Sequence, residues 1–142
     1  SNILGDWLSH PYFAKKPPKS LDRDAWDVNH ISGSSAADGA ATLSAFTVQA
    51  ITKARDHFPA PVRNWYVTGG GRHNAVLMES LRAVLDAPVD PVEKIGWNGD
   101  ALEAEGFGWL AVRSVLGLPL SLPTTTGVPA PQTGGRHHAA SP

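Results

Sequence analysis

The sequence contains no cysteine, a single methionine and no surplus of either charge, twelve Lys and Arg standing against thirteen Asp and Glu. Without thiols there is neither a disulfide framework nor a thiolate metal site. Balanced charge leaves no field to gather nucleic acid or an anionic membrane surface, so neither is expected as a partner. No apolar run approaches the roughly 18 residues of a membrane span, and no basic start leads into an apolar targeting segment. A cytoplasmic protein is the resulting expectation. The one methionine, Met78, lies in mid-chain and the sequence opens on Ser1. That leaves two expectations open: an initiating residue that is gone, or a piece of a longer protein.

What is present suits a globular chain. Of 142 residues, 42% are hydrophobic and 18% charged, which fits one domain or part of one. A compact domain of this size buries roughly 70% of the surface its unfolded chain exposes. An amphipathic stretch, Ile3 to Phe13, carries Trp7, Leu8, Tyr12 and Phe13, and breaks at Lys15-Lys16-Pro17-Pro18 because Pro18 turns Pro17 away from helix. Ser32 to Ser35 reads as a loop into a long helix from about Ala37 to Phe58, with Leu43, Phe46, Ala50 and Ala54 at helical spacing. Pro59 and Pro61 stop it. Val62 to Val67 is rich in strand formers. Gly69-Gly70-Gly71 ends that strand, and a second helix starts near Asn74, a favoured N-cap residue. Its Leu77, Leu81, Val84 and Leu85 fall at i, i+4, i+7 and i+8, a core-facing stripe.

Pro91 reduces Val89 to Ile95 to a short or irregular strand. Asp100 to Leu116 reads as a third helix, apolar almost all round through Phe107, Trp109, Leu110, Val112, Val115 and Leu116, and such a helix is normally buried on more than one side. After Gly117 periodicity ceases and a surface tail is expected. Helix, strand, helix, strand, helix is an α/β order. Two strands are too few for a sheet with helices on both faces, which favours a piece of a longer protein.

Val67-Thr68-Gly69-Gly70-Gly71-Arg72-His73-Asn74 is the most informative segment. Three glycines between strand and helix let backbone approach a flat or charged ligand, and the following helix start suits an anion or nucleotide. A tight turn with no ligand is the alternative. Glu103 opens an otherwise apolar helical face with Phe107 and Leu110. It reads either as a partner for a bound hydroxyl or as the far half of a capping box with Asp100. Lys19, Ser20 and Arg23 could hold a phosphate or sugar, although a solvated loop is the plainer reading. His137-His138, with no carboxylate near, makes a poor metal site. The tryptophans at 7, 26, 65, 97 and 109 suit core and interface better than sugar stacking.

Three stretches taken together resemble the C-terminal part of the anhydro-N-acetylmuramic acid kinase family. They are His10-Pro11-Tyr12-Phe13 through Pro17-Pro18-Lys19-Ser20 to Arg23, the Gly69-Gly70-Gly71-Arg72-His73-Asn74 turn, and Asp100 through Glu103-Ala104 to Phe107-Gly108-Trp109-Leu110-Ala111-Val112-Arg113. Leu118-Pro119, Leu122-Pro123 and Thr126-Gly127 extend the likeness. The glycine turn is shared across the sugar kinase, Hsp70 and actin superfamily.

The resemblance implies part of the second lobe of a ribonuclease-H-like, actin-like ATPase fold, with an incomplete sheet, over residues 1–127 and a tail over 128–142. It implies a kinase that uses ATP, Mg2+ and water to open the anhydro bridge of anhydro-N-acetylmuramic acid and phosphorylate its 6-hydroxyl, in cell-wall recycling. Gly69, Gly70, Gly71 and Asn74 would contact the adenosine side of ATP, and Glu103 would lie toward the sugar.

The departures are as telling. The family's Gly-Thr-Ser-x-Asp-Gly phosphate loop and the Asp-x-Gly-Pro-Gly-like turn that activates water do not occur in this sequence. Leu21-Asp22 stands in place of Thr-Gly, and Asp24 in place of Glu. No catalytic residue is therefore expected in this chain, which should be inactive alone and should bind a missing N-terminal lobe or self-associate. The rival expectation is a non-catalytic nucleotide-binding or interaction module derived from such a lobe.

Overall fold

The computed structural model describes residues 3–139, apart from the side chains of Arg23 and Val28. Its elements are α1 (Ile3–Leu8), α2 (Ala36–Lys53), β1 (Trp65–Val67), α3 (Ala75–Val84), β2 (Val89–Pro91), α4 (Leu102–Val115) and α5 (Pro123–Thr126), joined by short 3-10 turns. The chain is mixed α/β.

Pro11 sits at the start of a 3-10 turn, Pro11–Ala14, so the amphipathic stretch is two pieces rather than one. The Pro17–Pro18 peptide is cis. Ser35 caps α2 by accepting from the Asp38 N–H, the role a serine takes at a helix entrance. From α2 it is Val48 that is buried, while Leu43, expected in the stripe, is exposed. Phe46 instead joins an aromatic cluster, 5.2 Å from Trp7, 5.0 Å from Trp26 and 6.4 Å from Phe13 between ring centroids. This cluster ties α1 and the segment behind it onto α2.

Both expected strands form, each three residues long, and they pair in parallel with Trp65 opposite Val89 and Val67 opposite Pro91. A parallel pair needs a crossover, and α3 supplies it. The core lies between this pair and the helices: Val48, Met78, Leu81, Leu85 and Val89, with Ile51, Trp65, Val67 and Leu77 packed against them. Leu77, Leu81 and Leu85 follow the stripe read from the sequence, whereas Val84 is exposed. Parallel sheets are ordinarily covered on both faces. Here Tyr66, pointing away from the core by strand alternation, is exposed.

The last third of the chain is largely exposed. α4 contributes no buried residue, with Phe107, Trp109, Val112, Val115 and, just past its end, Leu116 all exposed. Apolar all round, it meets no second layer among the described residues. The region after Gly117 is largely exposed but not wholly irregular: α5 forms there, and Ser121 pairs with Gln132 in an antiparallel bridge. Residues 140–142 of the expected tail lie outside those described. Among the described residues, no helix is long and apolar enough to cross a membrane.

Candidate functional site

The glycine turn follows β1 and leads through a 3-10 turn, Gly70–His73, into α3. Its three glycines answer three different needs. Gly69 has φ 69° and ψ −173°, a conformation that strains any residue with a Cβ. A Cβ on Gly71 would lie 3.3 Å from Leu77 Cδ2, so close packing onto α3 favours glycine there. Gly70 has no positive φ, and nothing lies within 4 Å of where its Cβ would be. The fold does not require glycine at 70; its bare backbone faces open space.

Facing this turn, the chain comes back from β2 through Asn98 and Gly99 to the start of α4. Thr68, Gly69 and Gly70 on one side, and Gly99, Asp100, Leu102 and Glu103 on the other, line a cleft of about 550 Å3. Of the five residues expected at a ligand, Gly69, Gly70 and Glu103 meet in this cleft. Gly71 and Asn74 are not among its lining residues. Asn74 is the N-cap of α3, its Oδ1 accepting from the Leu77 N–H at 3.1 Å.

Sequence reasoning missed the residue that joins the two walls. The side chain of Arg72 is only 3% exposed. Its Nη1 donates to the Gly69 carbonyl at 2.8 Å, its Nε to Glu93 Oε1 at 2.9 Å, and its Nη2 meets Asp100 Oδ1 at 2.8 Å. Glu93 Oε1 also accepts from the Gly99 N–H at 3.2 Å, and the Gly99 carbonyl accepts from the Gly69 N–H and from Thr68 Oγ1, both at 3.3 Å.

These contacts set the local charges. The hydrogen bond from Arg72, and next its charge, hold the Asp100 carboxyl below the usual aspartate range. Glu93 is lowered first by its own backbone N–H and then by Arg72. Arg72 is raised, most of all by the Asp100 hydrogen bond. All three are charged at neutral pH. The signal in the sequence was slight: an Asn98-Gly99 turn dipeptide placed between two acids.

The capping box of Asp100 and Glu103 does not form. α4 starts at Leu102 with Ala101 at its N-cap and no side-chain cap. Asn98 Oδ1 instead accepts from the Asp100 and Ala101 N–H groups at 3.0 and 3.3 Å. Asp100 is thereby released to Arg72, and Glu103 stands exposed in the cleft with no hydrogen-bond partner among the described residues.

Lys19 is not solvated, contrary to expectation. Its Nζ donates to the carbonyls of Tyr12 and Phe13 at 3.0 and 3.2 Å, lies 2.9 Å from His57 Nε2, and sits 4.6 Å from the Tyr12 ring centroid. It fastens the segment after α1 to the 3-10 turn Ala54–His57 that follows α2. Ser20 is exposed, and the Arg23 side chain lies outside the described residues. His137 and His138 border an apolar groove of about 410 Å3 beside Phe107, Leu110 and Val115 of α4. Among the described residues no three His, Asp or Glu side chains gather as a metal ligand set. The donor set of the cleft, with Asp100 already engaged by Arg72, does not make a Mg2+ site by itself.

Comparison with known proteins identifies the family of the chain. The family model for anhydro-N-acetylmuramic acid kinase matches residues 1–139. Proteins named anhydro-N-acetylmuramic acid kinase are similar throughout. The one from Paramagnetospirillum magneticum is 58% identical over 93% of this chain and 38% of its own length. Those from Rhodospirillum rubrum and Acidiphilium cryptum are 55% and 58% identical over 94% and 91% of this chain, and 36% of their own lengths. The chain thus spans somewhat more than a third of the curated relatives it matches. Over nearly its whole length, glycine turn and α4 included, it belongs to the anhydro-N-acetylmuramic acid kinase family.

Proposed function

We propose that this chain is the nucleotide-side portion of a cytoplasmic, ATP-dependent kinase of cell-wall recycling, part of the second lobe of a ribonuclease-H-like fold. The reaction is the opening of the anhydro bridge of 1,6-anhydro-N-acetylmuramic acid by water, with the γ-phosphoryl of ATP passing to the freed 6-hydroxyl and ADP leaving. The observation that carries the reading is the cleft, where a glycine turn with one unexplained glycine, Gly70, faces an uncommitted carboxylate, Glu103. Backbone at Gly69 and Gly70 would accept the adenosine side of ATP, and Glu103 would accept a hydroxyl of the sugar. Mg2+ would supply charge neutralisation at the phosphates, and no ligand for it is assigned in this chain. Phosphoryl transfer depends on metal, phosphates and nucleophile being placed together, so this chain alone does not turn over.

The partner is the remaining part of the kinase, laid against α4. Support comes from the share of the relatives that this chain spans and from the uncovered apolar surface of that helix. The same surface favours the second reading, an interaction module without catalysis. Gly70→Val in the whole kinase tests the first. A side chain there fills the cleft without straining the fold, so ATP affinity should fall at least about tenfold, roughly 1.4 kcal/mol, with sugar affinity nearly unchanged. Unchanged ATP affinity removes the turn from the site, and equal loss of both ligands marks a folding defect. Sugar phosphate formed by this chain alone, within about a hundredfold of a whole relative (roughly 2.7 kcal/mol of barrier), would refute the division of labour.

A further inference from the structure

We propose that Arg72 is a positioning residue that fixes the separation of the two cleft walls, and through it the placing of Glu103 against whatever the glycine turn holds. Its acceptors come from three separate stretches: Gly69 in the turn after β1, Glu93 in the turn after β2, and Asp100 before α4. A planar guanidinium offers donors in fixed directions, so it imposes relative position where an ammonium would supply only charge. Asp100 directly precedes the N-cap of α4, and Glu103 lies in that helix's first turn. Holding Asp100 therefore holds the helix start.

Gly99 is part of the same device. A Cβ there would lie 2.8 Å from Arg72 Cζ and from Glu93 Oε1, so the guanidinium rests against bare backbone. Arg72 is no member of the apolar core cluster. Its carboxylate partners are 46% and 76% exposed, so the clamp lies at the edge of the fold, outside the packed centre. The distinctive effect of the clamp is geometric.

The placing of Glu103 toward the sugar, across from a nucleotide at the glycine turn, rests on the function proposed above; the wall-to-wall clamp does not. The test uses 15N-labelled chain with Arg72→Gln, Arg72→Lys and Asp100→Asn. Amide exchange at Gly69, whose N–H crosses to the Gly99 carbonyl, and at Gly99, whose N–H donates to Arg72's partner Glu93, should accelerate by about tenfold, with Leu81 and Leu85 in the core unchanged. Arg72→Lys should resemble Arg72→Gln, since charge without the fork cannot reach all three acceptors. Wild-type rates at Gly69 and Gly99, full rescue by lysine, or a uniform rise across α3 would each overturn the clamp. If Arg72→Gln fails to fold, Asp100→Asn decides, because Asp100 lies outside the core. In the second arm ADP together with anhydro-N-acetylmuramic acid is the probe. Wild type should shift Gly70 and Glu103 resonances together, and the variants Gly70 alone. Loss of both shifts, or of neither, in a folded variant overturns the placing of Glu103. No shift at Gly70 in wild type defeats the nucleotide reading and with it the placing, while the exchange arm still decides the clamp.

Discussion

Phe107 and Val115 lie about two turns apart on α4 and are 65% and 67% exposed. Burying such a side chain entirely is worth about 1.5–3 kcal/mol, so each has about 1–2 kcal/mol still to gain from a cover. Replacing both with serine should weaken the complex with that cover by about 2–4 kcal/mol, roughly 30- to 1000-fold in Kd. The chain's own stability should barely move, within about 0.5 kcal/mol per site, as for other surface positions. The cover to supply is the part of the Paramagnetospirillum magneticum kinase outside the matched 38%. Sedimentation at micromolar concentration, with a hydrophobic dye titrated alongside, reads both effects. The unmodified chain should bind dye and pair with that part, and the doubly substituted chain should do neither. A clean monomer that binds no dye would refute the reasoning. So would a substituted chain that loses more than about 2 kcal/mol of its own stability, which would mark the two residues as core. Pairing of the chain with itself alone would replace the proposed cover by a second copy.

Other outcomes follow from the same contacts. Leu81, 1% exposed at the centre of the core, should cost about 3–5 kcal/mol on truncation to alanine, read from the urea midpoint. Gly99→Ala overpacks the clamp and should lower Tm by about 3–9 °C, the effect of about 1–3 kcal/mol, while Gly70→Ala leaves Tm where it was. The folded Asp100 and Glu93 carboxyls titrate below their ordinary values. The stability they add is thus present above roughly pH 4 and is lost as the pH falls below it. Asp100→Asn should flatten that acid limb in a fluorescence-monitored titration.

Sequence periodicity located what local chemistry decides. Leu77, Leu81 and Leu85 are spaced for one helical face, and that face does meet β1 and β2. Asn74 caps where an asparagine before an apolar run should. Where two choices were both apolar, pattern alone could not arbitrate. α2 carries Leu43 and Val48, and the burial of Val48 follows from where α3 lies. The bridge between Ser121 and Gln132 joins residues too far apart for any periodicity to register.

Arg72 shows the limit in its sharpest form. An arginine after three glycines reads locally as a ligand contact or a solvated charge. What makes it a buried clamp is the return of Glu93 and Asp100, 21 and 28 residues on in the chain, to the same spot. The two strands cause that return, since their parallel pairing sets the ends of β1 and β2 side by side. α4 poses the converse case. Its apolar residues are of the kind that burial suits, yet none of them is buried among the described residues, and the proposed cover would provide that burial. Both ends of that helix then bear on the site: its start carries Glu103 beside Arg72's partner Asp100, and its body offers Phe107 and Val115 to the cover. A cover that seats α4 also fixes Glu103 from the far side, so affinity for the partner and geometry of the cleft should change together in Phe107→Ser.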